Sequence, residues 1–157
     1  MKTRPWNIYI DTNVWCSPFD KLPYHSEVVD FFKTIVKNND KWKIFTSELV
    51  LTEISMTKEP KLTQIKKLLE KVAPAQLSFE DKIQDLAKEY VKGRVVKEKS
   101  FRDALHIAYA TFYEMDYLIS LNFDDINNIT TIKKIQLMNY SLGYSRPLQI
   151  CSPLEVK

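Results

Sequence analysis

Four acidic positions stand where they could do chemistry together. Asp11 closes a short β-branched and aromatic run, Asn7-Ile8-Tyr9-Ile10, and is followed by Thr12-Asn13. Glu53 lies in Leu49-Val50-Leu51-Thr52-Glu53-Ile54, four residues after Leu49 and three after Val50, so it borders an apolar helical stripe. Asp103 lies four residues before Ile107 and seven before Ala110, again beside a buried stripe. Asp125 comes just after the apolar run 117–121 and Asn122. Carboxylates at the edge of a buried face are costly unless paired or coordinated. Several of them converging would repel one another and take up protons, and a bound divalent cation removes that penalty. An all-oxygen set of this kind suits Mg2+, which keeps part of its water shell. His25 and His106 are isolated, and Cys16 and Cys151 have no CxxC partner, so no zinc-type spacing exists. Each acid also has an ordinary reading. Asp11 can cap a helix. Ser100-Phe101-Arg102-Asp103 and Asn122-Phe123-Asp124-Asp125 both fit capping boxes. Glu53 can be a solvent-facing helix residue.

Short strands and long amphipathic helices must carry these residues. Strands are expected at 7–11, 42–45, 117–121 and 148–151. Helices are expected from Pro23 to Asn39, from a Thr46 or Ser47 cap through Ile54, from Pro60 through Val72, from Ser78 through Val91, from Ser100 to Met115, and over 131–142. Strands separated by helices indicate an α/β domain with a parallel sheet. Ligands in such sheets collect beyond the carboxyl ends of the strands, where the acids fall.

Composition bounds the class. The chain has 157 residues, 45% hydrophobic and 27% charged, which fits one ordinary domain spanning 1–157 and excludes a disordered chain. At this size roughly 68–70% of the unfolded surface can be buried without a disulfide or metal staple. No apolar run approaches a membrane span, the N-terminus lacks a signal-peptide core, and the two cysteines suit a reducing cytoplasm. A net charge of +3 decides little by itself.

The segments Asp11-Thr12-Asn13-Val14-Trp15, 47–54, Asp103-Ala104-Leu105-His106-Ile107-Ala108 and 117–122, in this order, resemble the PIN-domain endoribonucleases, particularly VapC-type toxins. The ending, 147–155, is similar to the family's final strand. The resemblance implies a three-layer α/β/α sandwich around a central parallel sheet. It implies Mg2+ or Mn2+ held by Asp11, Glu53 and Asp103, and metal-activated water attacking an RNA phosphodiester. Asp11 and Asp103 would be direct ligands, and Glu53 a ligand or a base acting through metal-bound water. At the fourth acidic position this chain has neutral Asn122, so Asp125 is the candidate to supply the missing charge. Thr12, Asn13, Ser120 and Asn122 would orient ligands or phosphate oxygens. His106, flanked by Leu105 and Ile107, reads as a structural histidine in preference to a proton shuttle. The partners implied are an RNA substrate and a small cognate antitoxin, and a homodimer is compatible with the pattern.

Two surfaces bear on those partners. Lys92, Arg94, Lys97, Lys99 and Arg102 place five cations in eleven residues, offset only by Glu98, and lead into Asp103. The run reads as phosphate capture in preference to a solvated loop. In VapC-type toxins a helix pair like 47–57 and 60–73 receives the antitoxin; Leu62, Ile65, Leu68 and Leu69 serve either that groove or the core. Competing functions are a PIN-like RNA-binding module with a degenerate site, supported by Asn122, and a haloacid-dehalogenase-like phosphatase. The latter needs a second acid two residues after the first, where this chain has Asn13.

Overall fold

Five parallel strands build the centre of the fold, in the order β3-β2-β1-β4-β5. The computed structural model describes residues 3–156. The strands are β1 (Trp6–Ile10), β2 (Trp42–Ser47), β3 (Ala75–Leu77), β4 (Tyr117–Ile119) and β5 (Gln149–Cys151). The seven α-helices are α1 (Thr12–Cys16), α2 (His25–Lys37), α3 (Glu48–Ser55), α4 (Lys61–Val72), α5 (Asp81–Lys92), α6 (Phe101–Phe112) and α7 (Ile129–Ser141). The architecture is the expected α/β/α sandwich.

Strand β1 pairs with β2 on one side, Tyr9 opposite Phe45, and with β4 on the other, Ile10 opposite Ile119. Chain order therefore reverses between β1 and β4, and the carboxyl ends of these two strands form the crevice where such sheets bind ligands. Ile8, Tyr9, Ile10, Leu118 and Ile119 are wholly buried, as strands covered on both faces must be. Helices α2 and α4 contact each other, α4 also packs on α1, and Trp15 of α1 meets Phe32 of α2 with ring centroids 5.2 Å apart. On the opposite layer α5 packs along α6, and α7 joins them through a buried polar knot. There Tyr90 OH donates to Asn139 Oδ1 at 2.5 Å and stands 3.0 Å from Thr111 Oγ1, whose hydroxyl can donate to it, and Asn139 Nδ2 donates to Thr111 Oγ1 at 3.0 Å.

Most elements fall where periodicity places them, with three differences. Strand β2 runs on to Ser47, which is also the N-cap of α3 and accepts from Val50 N. Strand β3 and the short helix α1 carry no periodic signal, since three and five residues are too few to show one. The capping box expected at Ser100 is not formed: Ser100 makes no side-chain cap bond, so Asp103 is left for other work.

Candidate functional site

Asp11 leaves β1 at the crevice, 3% exposed, and its carboxylate is held on both oxygens. Oδ1 accepts from Thr12 N at 2.7 Å, which makes Asp11 the N-cap of α1 as well. Oδ2 accepts from Ser120 Oγ at 2.8 Å and from Asn13 Nδ2 at 3.2 Å. Ser120 and Asn13 in turn tie Asp11 to the end of β4. Asn13 Oδ1 accepts from Leu121 N at 3.1 Å, and Ser120 Oγ accepts from Asn122 N at 3.0 Å. Thus Thr12, Asn13 and Ser120 bond to Asp11 directly, and Asn122 bonds to Ser120.

Glu53 reaches the same crevice from α3. Its Oε1 accepts from Thr12 Oγ1 at 2.9 Å and from His106 Nε2 at 2.6 Å. His106, 2% exposed on α6, also approaches Asp11 Oδ1 at 3.5 Å. Burial works against ionisation of both groups, yet the balance goes the other way. Hydrogen bonds and charges from His106, Thr12 and Arg102 hold the Glu53 carboxyl below its ordinary value. Asp11 and Glu53 likewise hold the His106 ring above its ordinary value despite burial. The two directions agree, and describe an ionic pair.

Asp103 is under opposite pressure. Burial first, then the charge of Asp11 and more weakly that of Asp125, push its carboxyl up to about 6, against the pull of His106 and an Asn122 hydrogen bond. The charges of Asp11 and Asp125 therefore both bear on Asp103. Asn122 has a double role: its Oδ1 accepts from Asp125 N at 3.0 Å, the capping bond expected of that segment. That carbonyl is accordingly engaged by the backbone, which weakens its case as a neutral metal ligand. Among the described residues, no three His, Cys, Asp or Glu side chains are gathered tightly enough to hold one ion between them as they stand. The donors fit a hard cation in kind. They are oxygens, burial and then the neighbouring carboxylates raise Asp103, and an open set suits an ion that keeps waters.

Beside the acids lies a cleft of about 490 Å3, lined by Arg94, Lys97, Lys134, Thr131 and Asp125 among others. Two cations of the 92–102 run face it. Lys92, Lys99 and Arg102 are exposed but do not line it, although Arg102 is close enough to act on Glu53. Lys134, from α7, was not legible as a site residue.

The pattern of the PIN domain matches residues 8–129 of the chain, from β1 to the start of α7. The chain belongs to the PIN-domain family. Solved PIN-type structures share the fold at low identity. Mycobacterium tuberculosis VapC20, described as a sarcin–ricin loop cleaving toxin, is 13% identical at a TM-score of 0.56, covering 88% of this chain and 97% of that one. Rickettsia felis VapBC2, crystallised bound to a DNA fragment from their promoter, is 18% identical at a TM-score of 0.53, covering 80% and 94%. No curated protein matches the chain in sequence.

In this PIN domain the main departure from the sequence reading is His106. It is a satisfied, buried histidine, as expected, but its partners are the candidate site acids. The clue lay in its spacing, one helical turn past Asp103 and so on the same face. Tyr9 and Ser47, which back it, gave no signal as single residues in a strand.

The raised Asp103 gives a pH dependence. Its ordinary value is 3.8 and its folded value about 6. Between these the native state binds more protons than the unfolded chain, so this group's contribution to stability falls as pH rises. His106, also raised, adds a fall in the same direction at higher pH. Glu53, lowered, is the counterweight: its contribution is lost as pH falls below the ordinary glutamate range. Chemical melts in a chelator should show the PIN domain losing stability from pH 5 to pH 7. Asp103→Asn should flatten that slope; an unchanged slope would place the proton elsewhere.

Proposed function

We propose that the chain is a metal-dependent endoribonuclease that hydrolyses RNA phosphodiester bonds, acting as the toxin of a toxin–antitoxin pair in the cytoplasm. The observation that carries this is that Asp11 and Glu53 meet through Thr12 and His106 at the reversal point of a PIN sheet, with the charges of Asp11 and Asp125 bearing on Asp103, beside a cation-lined cleft. The likeness to VapC-type folds and the membership of the PIN family support it.

Mg2+ or Mn2+, when bound, would polarise the phosphodiester and lower the pKa of the attacking water. Asp11 and Asp103 would hold it, with Glu53 as a further ligand or as the acceptor of the water's proton. Asp125 adds negative charge at the rim. Ser120, Asn13 and Thr12 keep the Asp11 and Glu53 carboxylates oriented. Arg94, Lys97 and Lys134 line the path by which a phosphate backbone would approach. Lys92, Lys99 and Arg102 extend the positive surface along the same segment.

Purified protein should cleave RNA with Mn2+ and not with chelator. Neutralising Arg94, Lys97 and Arg102 together should lower the salt slope of log K by about 2, at roughly 0.7 per phosphate contact on single strands. An unaltered slope would make the run a solvated loop.

The antitoxin site we assign to an apolar groove of about 230 Å3 between α2 and α4, floored by Phe19, Val29, Phe32, Val36 and Leu68 and edged by Lys33 and Lys71. It differs from the α3–α4 pair read from the sequence. Ile65 is wholly buried in the core, and of the four α4 candidates Leu68 lines the groove. Such a groove suits an apolar segment carrying acids. Co-expression with the adjacent small gene should relieve growth arrest and slow hydrogen exchange in α2 and α4.

A further inference from the structure

Behind Glu53 runs a buried chain of hydrogen bonds that the proposed reaction does not itself require. Ser47 Oγ and Tyr9 OH stand 2.8 Å apart, Tyr9 OH and His106 Nδ1 are again 2.8 Å apart, and His106 Nε2 meets Glu53 Oε1 at 2.6 Å. Tyr9 and Ser47 are wholly buried, and the chain crosses from β2 through β1 to α6 and α3. An ionised carboxylate only accepts, so Nε2 must carry a proton. Tyr9 then serves Nδ1 in either charge state, donating to a neutral ring or accepting from a charged one. The tilt of the ring is further fixed by Tyr9, whose own ring stacks on Tyr109 at 6.1 Å between centroids.

Both donors to Glu53, Thr12 and His106, converge on Oε1. Oε2 is left for a cation or its water. A half-buried glutamate without these bonds would sample several rotamers, and ordering it on metal binding would cost entropy. We infer that His106 and Tyr9 are positioning residues, which pin Glu53 by Oε1 and so preset its second oxygen for the cation site. Ser47 closes the chain and couples it to the start of α3, because the same hydroxyl caps that helix. The inference rests on the metal-dependent reading above. It adds that the histidine acts chiefly through Glu53, with Asp11 Oδ1 as a longer second neighbour at 3.5 Å, and touches neither substrate nor ion.

Two substitutions at one position separate this from plain core packing. Glutamine places an amide N–H close to where histidine has Nε2, so His106→Gln keeps the bond to Glu53. Asparagine reaches only the Nδ1 position, so His106→Asn keeps the bond to Tyr9 and releases Glu53. The probe is Mn2+ alone, titrated by calorimetry into the purified chain, with metal-free melting measured in parallel. Positioning predicts a Mn2+ Kd within about threefold of wild type for His106→Gln. It predicts a Kd weakened by about 10–100-fold for His106→Asn, the scale seen when an outer hydrogen bond to a ligand is lost. Tyr9→Phe should fall between them. Equal Mn2+ affinity in all three variants, whatever their melting temperatures, would overturn the inference and leave His106 a packing residue. If wild type binds Mn2+ with this ordering of variants but does not cleave RNA, the nuclease reading fails and the inference stands. If wild type takes up no Mn2+, both fall.

Discussion

Asp103→Asn should abolish Mn2+-dependent RNA cleavage and at the same time raise the metal-free melting temperature. The catalytic loss should be at least about 100-fold, the scale for removing one preorganised charged group from a transition-state site. The stability gain follows from the same charge. Asp103 is pushed up to about 6 by burial and by Asp11, so at neutral pH its ionised form opposes folding. Allowing for its partial exposure, relief amounts to about 1 kcal/mol, or roughly 2–4 °C in a domain of this size. Asp11→Asn should lose cleavage as fully and behave differently in the melt. Its carboxylate accepts from Thr12 N, Asn13 Nδ2 and Ser120 Oγ. An amide there turns one acceptor into a donor facing donors, so stability should fall by about 1 kcal/mol. The opposite signs of the two melts, read beside equal losses of cleavage, check the assignment. Retained cleavage in both variants would end it.

The largest loss of stability is expected far from the site. Asp116 stands at the amino end of β4, opposite the crevice, and is 7% exposed. It receives both Arg4 guanidinium nitrogens, at 2.9 and 2.8 Å, and Arg146 Nη2 at 3.1 Å. It also accepts from Asn7 N at 2.8 Å, so one carboxylate joins the starts of β1 and β4 to the segment before β5. Asp116→Ala leaves two guanidinium groups facing each other and a buried N–H without an acceptor. Breaking a buried pair from one side costs 3–5 kcal/mol, and half-exposed Arg4 brings that down to roughly 2–3 kcal/mol here. The melting temperature should drop by roughly 5–10 °C. Mn2+ affinity of the folded protein should not change, because the clamp lies at the other end of the sheet from Asp11. A drop in affinity matching that of Asp103→Asn would show the two ends to be coupled.

Several features were legible in the residues alone. Asp11, Glu53 and Asp103 stood out because each is a carboxylate beside an apolar stripe, and the cost of that placement demands an explanation. The α/β class followed from strands and helices alternating along the chain, and a helix cap at Thr46 or Ser47 from its place before an apolar run, with the structure choosing Ser47. These are local properties: periodicity, caps and turn residues operate within a few positions of one another.

What the tertiary structure decided lies between positions far apart in sequence. Strand β3 exists because its three residues, Ala75 to Leu77, find the edge of β2, and nothing within three residues announces that. The capping box at Ser100 was locally plausible and did not form; at Asn122 only half of one did, with Asp125 N donating to Asn122 Oδ1 while Asn122 N donates to Ser120 Oγ, and the segment is a turn. His106 was read correctly as buried, but the groups that satisfy it come from β1 and α3, 97 and 53 residues away. Lys134 joins Arg94 and Lys97 only because α7 returns over α5. The apolar groove between α2 and α4, which we propose for the antitoxin, shows only in the fold, because an amphipathic helix reveals which face is apolar and only packing reveals how much of that face is already covered. Sequence thus singled out the candidate groups for the chemistry, through their local cost; the fold decided which of them meet, because long-range pairing is set by the sheet order and not by neighbours in the chain.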